Sequence, residues 1–212
     1  VLASQASGQQ QWLPLPNSMN LPQSTAERRL LHRRAINVQV YARDDGLFDV
    51  EAALVDSKGR DIKLSGETRR AGEPVHDMLL VLVVDAKANI LESASRTNAM
   101  PYPGACNDHG DAYQRLVGLN LFKGFRPGVK EKLSGIKGCT HLTELCQALP
   151  TAVVQAFTGE VINIRDGDSP GQAPFQLDKC HALRRDGPMV LAFYPNWYRK
   201  PEAAAVEVVP NP

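Results

Sequence analysis

The sequence predicts an α+β fold, an antiparallel sheet built from hairpins with helices packed on one face. Three observations predict it. Apolar and polar residues alternate along short segments on either side of turn-forming clusters, as half-buried strands of a hairpin do. In the middle of the chain the apolar period changes to three- and four-residue steps, which is helical. Strands grouped apart from helices, with hairpin connections, give an α+β architecture.

The first hairpin runs through Ile36, Val38, Val40 and Ala42, turns at Asp44-Asp45-Gly46, and resumes with Phe48, Val50, Ala52 and Leu54 against Asp49 and Glu51. The second joins Met78–Asp85 to Ile90–Thr97 through Ala86 to Asn89, and its first arm is apolar on both faces, as a central strand is. A short helix is expected over Pro127–Leu133, ended by Ser134-Gly135. Leu142, Leu145, Cys146, Leu149, Val153, Val154, Ala156 and Phe157 then place one apolar stripe on a helix from about Thr140 to Thr158. Pro150 interrupts it, which predicts a kink or two short helices with Pro150 in the first turn of the second. A third hairpin is expected from Leu177–Leu183 and Met189–Tyr194, reversing at Arg185-Asp186-Gly187.

These elements lie in a single α+β domain over residues 28–198. Residues 1–27, rich in Gln, Ser, Pro and Asn, read as an extended N-terminal arm in which Trp12, Leu13 and Leu15 are available to dock in a groove. Residues 199–212, with Pro201, Pro210 and Pro212, read as a C-terminal tail.

The chain has 212 residues, 43% of them hydrophobic and 22% charged, enough for a substantial core. A formal net charge of +1 supplies no global field for nucleic acid or an anionic membrane. The longest apolar run, seven residues from Met78 to Val84, is far short of the about 20 a membrane span needs. No basic segment leads into an apolar one at the start, so a cytoplasmic setting is expected, with a leader already removed as the alternative. Four cysteines are too few for a disulfide scaffold, so free thiols or metal ligands are expected.

The cysteines keep company with histidines. Cys139 and His141 stand two residues apart at the start of the Thr140 helix, Cys180 and His181 are adjacent, and Cys106 lies in a Pro- and Gly-rich loop with His109 and Asp111. Thiolate and imidazole together make a soft metal site, or a nucleophile with its base. Gly138 permits close approach to Cys139, and a helix start favours thiolate over thiol. His76 stands at the entry to the most buried strand, where loops gather. Cys146, on the apolar stripe, belongs to the core, and His32, among Arg28, Arg29, Arg33 and Arg34, to a basic strip. From Lys123 to Lys137, basic residues and glycines concentrate before Cys139. That composition suits a phosphate or carboxylate, though it matches no Walker or dinucleotide fingerprint.

Arg43-Asp44-Asp45-Gly46-Leu47, Glu73-Pro74-Val75-His76-Asp77-Met78, Leu116-Val117-Gly118-Leu119, Gly124-Phe125, Gly138-Cys139-Thr140-His141-Leu142 and Lys179-Cys180-His181-Ala182 resemble, in this order, a bacterial domain-of-unknown-function family, number 2889. The resemblance covers most of residues 28–198. It implies a setting in the catabolism of aromatic or acyl compounds and transfers no mechanism.

The expected function is therefore a metal-binding enzyme, with zinc held by Cys106, Cys139 and His141 together with one of His76, Cys180 or His181, and hydrolytic chemistry on a small acyl or aromatic-derived substrate. One alternative is metal-free, with Cys139 as nucleophile and His76, His141 or His181 as base. Another is a non-enzymatic carrier of metal or sulfur. In each case the partner is a small molecule, anionic or acyl, with no nucleic acid and no membrane, and homo-oligomerisation is left open.

Overall fold

A computed structural model describes residues 22, 24–64, 66–106, 112–164 and 171–201. Residues 1–30 and 31–212 form two units. Of the first, only residues 22 and 24–30 are described, all exposed. Most of the expected arm, including Trp12, Leu13 and Leu15, most of the expected tail, His109 and Asp111 therefore lie outside the described residues.

Four long strands form an antiparallel sheet: β1 (His32–Ala42), β2 (Phe48–Lys58), β5 (Pro74–Val84) and β6 (Ile90–Ala99), in the spatial order β1-β2-β5-β6. The two-residue strands β3 (Ile62–Lys63) and β4 (Thr68–Arg69) pair with each other in the excursion between β2 and β5. The first and second expected hairpins are present. The β1–β2 turn needs the left-handed backbone that Gly46 supplies at φ 81°, and the Asp45 carboxylate accepts from the Leu47 N–H at 3.1 Å.

Register decides which face is the core. Val40, Val50 and Leu82 form one row across the three adjacent strands, Val38, Ala52 and Leu80 the next, and Ile36, Leu54 and Met78 the next. Side chains of one row share a face, and the β2 and β5 members of these rows are wholly buried. Each large apolar side chain so buried contributes roughly 1.5–3 kcal/mol. The following row is Arg34, Asp56 and His76. At one end of the sheet, the core face thus becomes ionic.

Helices cover that face. In α1 (Phe125–Leu133), α2 (Thr140–Cys146) and α3 (Leu149–Phe157), the residues Phe125, Val129, Leu133, Leu142, Leu145, Cys146, Leu149, Val153 and Phe157 join the strand residues in one core. Pro150 lies in the first turn of α3, where its missing N–H costs no intrahelical bond, so the long stripe divides into two helices. Cys146 is fully buried.

The third expected hairpin does not form. His181–Leu183 is a single 3-10 turn, and Pro188–Phe193 is helix α4. Pro188, following Gly187, opens α4 at its first turn, and its fixed φ favours a helix start. Met189 to Phe193 is also apolar without interruption, so no alternation opposes that start. Among the described residues, no helix is long and apolar enough to cross a membrane.

Candidate functional site

Asp56 is the centre of the site. It continues the buried series Val50, Ala52, Leu54 along β2 and is only 1% exposed, so its charge must be matched locally. Arg34 opposite it on β1 forms a two-pronged contact, Nε donating to Oδ1 and a terminal nitrogen to Oδ2, each at 2.8 Å. His32, two residues back on the same face of β1, brings Nε2 to 3.3 Å from Oδ1. Burial alone would raise the Asp56 carboxyl, but the Arg34 hydrogen bonds and charge outweigh it and hold the group below its usual range. It is a carboxylate at neutral pH.

Two imidazoles meet the same carboxylate from the other side. His76, opposite Asp56 on β5, brings Nδ1 to 3.2 Å from Oδ2, and His141 on α2 brings Nε2 to 3.7 Å from that oxygen. Their rings lie over one another, with centroids 3.8 Å apart and planes tilted by 31°. Burial lowers both pKa values, and the neighbouring His141 lowers that of His76 further. Both rings are therefore neutral at physiological pH and keep a lone pair to offer. Although Nδ1 of His76 is close to Oδ2, its hydrogen-bond direction misses that oxygen, so the atom is buried without a hydrogen-bond partner. Ligand atoms of Asp56, His76 and His141 all lie within 4.8 Å of one another.

Cys139 approaches His141 from the opposite edge of the ring. Its Sγ is 3.9 Å from His141 Nδ1 and 3.8 Å from Met78 Sδ. The residue precedes α2 and is held there by Tyr113, whose buried hydroxyl donates to the Cys139 carbonyl at 2.7 Å and lies 2.9 Å from Thr143 Oγ1. Burial keeps that phenol neutral, so it remains a donor. Gly138 leaves the necessary room: a Cβ there would stand 3.1 Å from the Leu133 carbonyl oxygen and 3.2 Å from the Tyr113 hydroxyl.

A cavity of about 440 Å³ opens onto this cluster. His76, His141, Cys139 and Met78 line its inner side, while Cys106, Tyr102 and Ile136 line the rest. Tyr102 and Ile136 are largely exposed, so the mouth is apolar, and the two imidazoles and the thiol sit beside buried Met78 within.

The candidate residues thus divide. His76, Cys139, His141 and Cys106 face one cavity. Cys180 and His181 are exposed, with His181 Nε2 3.2 Å from an Arg184 guanidinium nitrogen, and neither lines that cavity. Cys106 and Cys139 stand outside the convergent ligand set, whose third member is Asp56. Asp56, Arg34 and His32 escape a reading that starts from thiols. Their signal is an acidic residue at an even-numbered, core-facing position of a strand, opposite an arginine.

One family model, described as Protein of unknown function (DUF2889), matches residues 32–155. That span contains Asp56, His76, Cys139 and His141. No curated protein and no solved structure matches the chain.

Proposed function

Because the chain belongs to the DUF2889 family, whose function is unknown, no activity comes with membership, and we propose from the geometry that it is a metal-dependent enzyme. A divalent ion, zinc in the first instance, is held by Asp56, His76 and His141. The observation that carries this reading is the convergence of Asp56 Oδ2, His76 Nδ1 and His141 Nε2, one of them a buried nitrogen without a hydrogen bond. One carboxylate and two neutral imidazoles are a donor set that zinc accepts, with a further position left for water or substrate.

The spacings support it. Ligand atoms about 2.1 Å from a tetrahedral ion stand about 3.4 Å from one another, against 3.2 and 3.7 Å for the two histidine contacts to Oδ2. The ring stacking sets a condition. Two imidazoles on one tetrahedral ion have centres about 5 Å apart, so seating the ion slides the rings from 3.8 Å by about 1 Å. Arg34 fixes the Asp56 carboxylate from behind, as outer partners of metal ligands do. Bound there, the ion would supply Lewis acidity for hydrolysis of a small acyl or aromatic-derived substrate. Tyr102, Ile136 and Met78 would receive its apolar part in the cavity.

The test is titration of chelator-treated protein with zinc, followed by calorimetry. One equivalent is expected to bind, with His76→Ala and His141→Ala each losing about tenfold or more in affinity. Cys139→Ser should bind as the parent does. Loss of binding in Cys139→Ser with retention in His76→Ala would refute the ligand set.

A specific observation favours a second reading. Cys139 Sγ, His141 Nδ1, His141 Nε2 and Asp56 Oδ2 form a series with gaps of 3.9 and 3.7 Å, the order of nucleophile, base and orienting carboxylate. On an acyl or thioester substrate, the thiol proton would pass to His141 as the S–C bond forms. The proton would then leave with the departing group. A metal on His141 Nε2 competes with this role, so stoichiometric zinc that suppresses Cys139 alkylation separates the two.

A further inference from the structure

A second cavity lies at the other end of the sheet. His76 and Val84 are eight residues apart on β5, roughly 26 Å at strand rise, and the second cavity begins just beyond Val84, at Ala86 and Lys87. It measures about 890 Å³, within the range of about 300–1,000 Å³ typical of small-molecule sites. Its walls come from the β5–β6 turn, the segment entering α1, α3, and Phe175 with Lys179.

We infer that this cavity binds a single-headed amphipathic anion, an apolar chain or ring carrying one carboxylate or phosphate. The body of the ligand is specified by the floor: Leu121, Phe122, Val154, Val161, Ile162 and Phe175. That floor is rigidly backed. The Phe122 ring meets Phe157 edge-on at 5.8 Å, and Phe157 in turn packs against Phe48 at 4.6 Å.

The head is specified by charge. Lys87, Lys123, Arg126 and Lys179 line the cavity, and no Asp or Glu does so among the described residues. None of the four cations forms an ion pair among the described residues. The nearby carboxylate of Asp85 is already engaged, accepting from the Lys87 and Asn89 backbone N–H groups and the Asn89 side chain at 2.8–2.9 Å. Asp85 offsets part of the Lys87 charge, and Arg126 donates to the Gln147 carbonyl at 3.3 Å. Four cations with no ion pair among the described residues still leave the hollow net positive, which repels a cationic amphiphile and leaves a neutral one without a partner for its head. An anion satisfies both parts.

Full-chain protein titrated calorimetrically with monomeric dodecanoate, dodecyl phosphate, dodecyl maltoside and inorganic phosphate tests the assignment. At least one of the two anionic dodecyl compounds is expected to bind at one equivalent, about tenfold or more tighter than either the maltoside or inorganic phosphate. Which of them binds tighter names the head group. Lys123→Ala/Arg126→Ala should weaken binding by about tenfold, Val154→Trp should abolish it by filling the hollow, and His141→Ala should leave it unchanged. Equal binding of the maltoside, inorganic phosphate binding as tightly as dodecyl phosphate, undiminished binding in a folded Val154→Trp protein, or loss in His141→Ala would each overturn it. The last control keeps the result independent of the metal reading.

Discussion

Replacing Arg34 with alanine removes both prongs from a carboxylate that is 1% exposed and leaves the charge in place. Breaking a buried ion pair on one side costs about 3–5 kcal/mol, because the remaining charge is desolvated without compensation. Two features place this case at the lower end. The Arg34 side chain is 37% exposed, so solvent already screens the pair, and His32 Nε2 remains 3.3 Å from Oδ1. The expected loss is about 3 kcal/mol, or a fall in Tm of about 6–12 °C for a unit of this size. Urea unfolding of chelator-treated protein at pH 8 measures it. Arg34→Met/Asp56→Leu, which removes both charges and fills the space with apolar atoms, should recover most of the loss. A loss below about 1 kcal/mol in Arg34→Ala, or no recovery in the double variant, would refute the reasoning that Asp56 is a buried anion held by this fork.

Further outcomes follow from the same geometry. His76 and His141 have folded-state pKa values depressed below the ordinary value near 6.5. Below that value the unfolded chain takes up protons that the folded one refuses, so metal-free stability is full above about pH 6.5 and declines as pH falls through the folded pKa values. Urea midpoints between pH 8 and 5 should show this decline and lose part of it in His141→Gln. The carboxylate behaves separately: with its pKa depressed, the Asp56 contribution persists above about 3.9 and is lost as pH falls below it. Tyr113→Phe removes a buried donor from the Cys139 carbonyl, which should cost about 1–2 kcal/mol and speed alkylation of Cys139 by iodoacetamide. An unchanged alkylation rate would mean that Tyr113 does not restrain the segment before α2.

The sheet is legible in the sequence because its signal is local. Period-two alternation in Ile36–Ala42 and Phe48–Leu54 about Asp44-Asp45-Gly46 marks the first hairpin, and the apolar run Met78–Val84 ahead of the Ala86–Asn89 turn marks the second. The helix pair is legible in part because Pro150 within the apolar stripe calls for a kink or a break, and the break is what forms, with Pro150 in the first turn of α3. The third hairpin is misread because the uninterrupted apolar run after Pro188 carries no true alternation, and a proline helix start prevails there. Within the site, Cys139, His141 and His76 stand out by chemistry and position. The structure adds Asp56, Arg34 and His32, whose meeting depends on inter-strand register. Arg34 and Asp56 are 22 residues apart in sequence yet directly opposed. His32 reads as one more member of a basic strip until the β1–β2 register places it beside a buried carboxylate.

The most direct measurement is anomalous diffraction at the zinc edge from crystals of the zinc-loaded protein. One peak is expected about 2.0–2.2 Å from Asp56 Oδ2, His76 Nδ1 and His141 Nε2, with the two imidazole rings moved apart from their stacked positions. A peak bonded instead to Cys106 or Cys139 Sγ, or no peak at these three atoms, would contradict it.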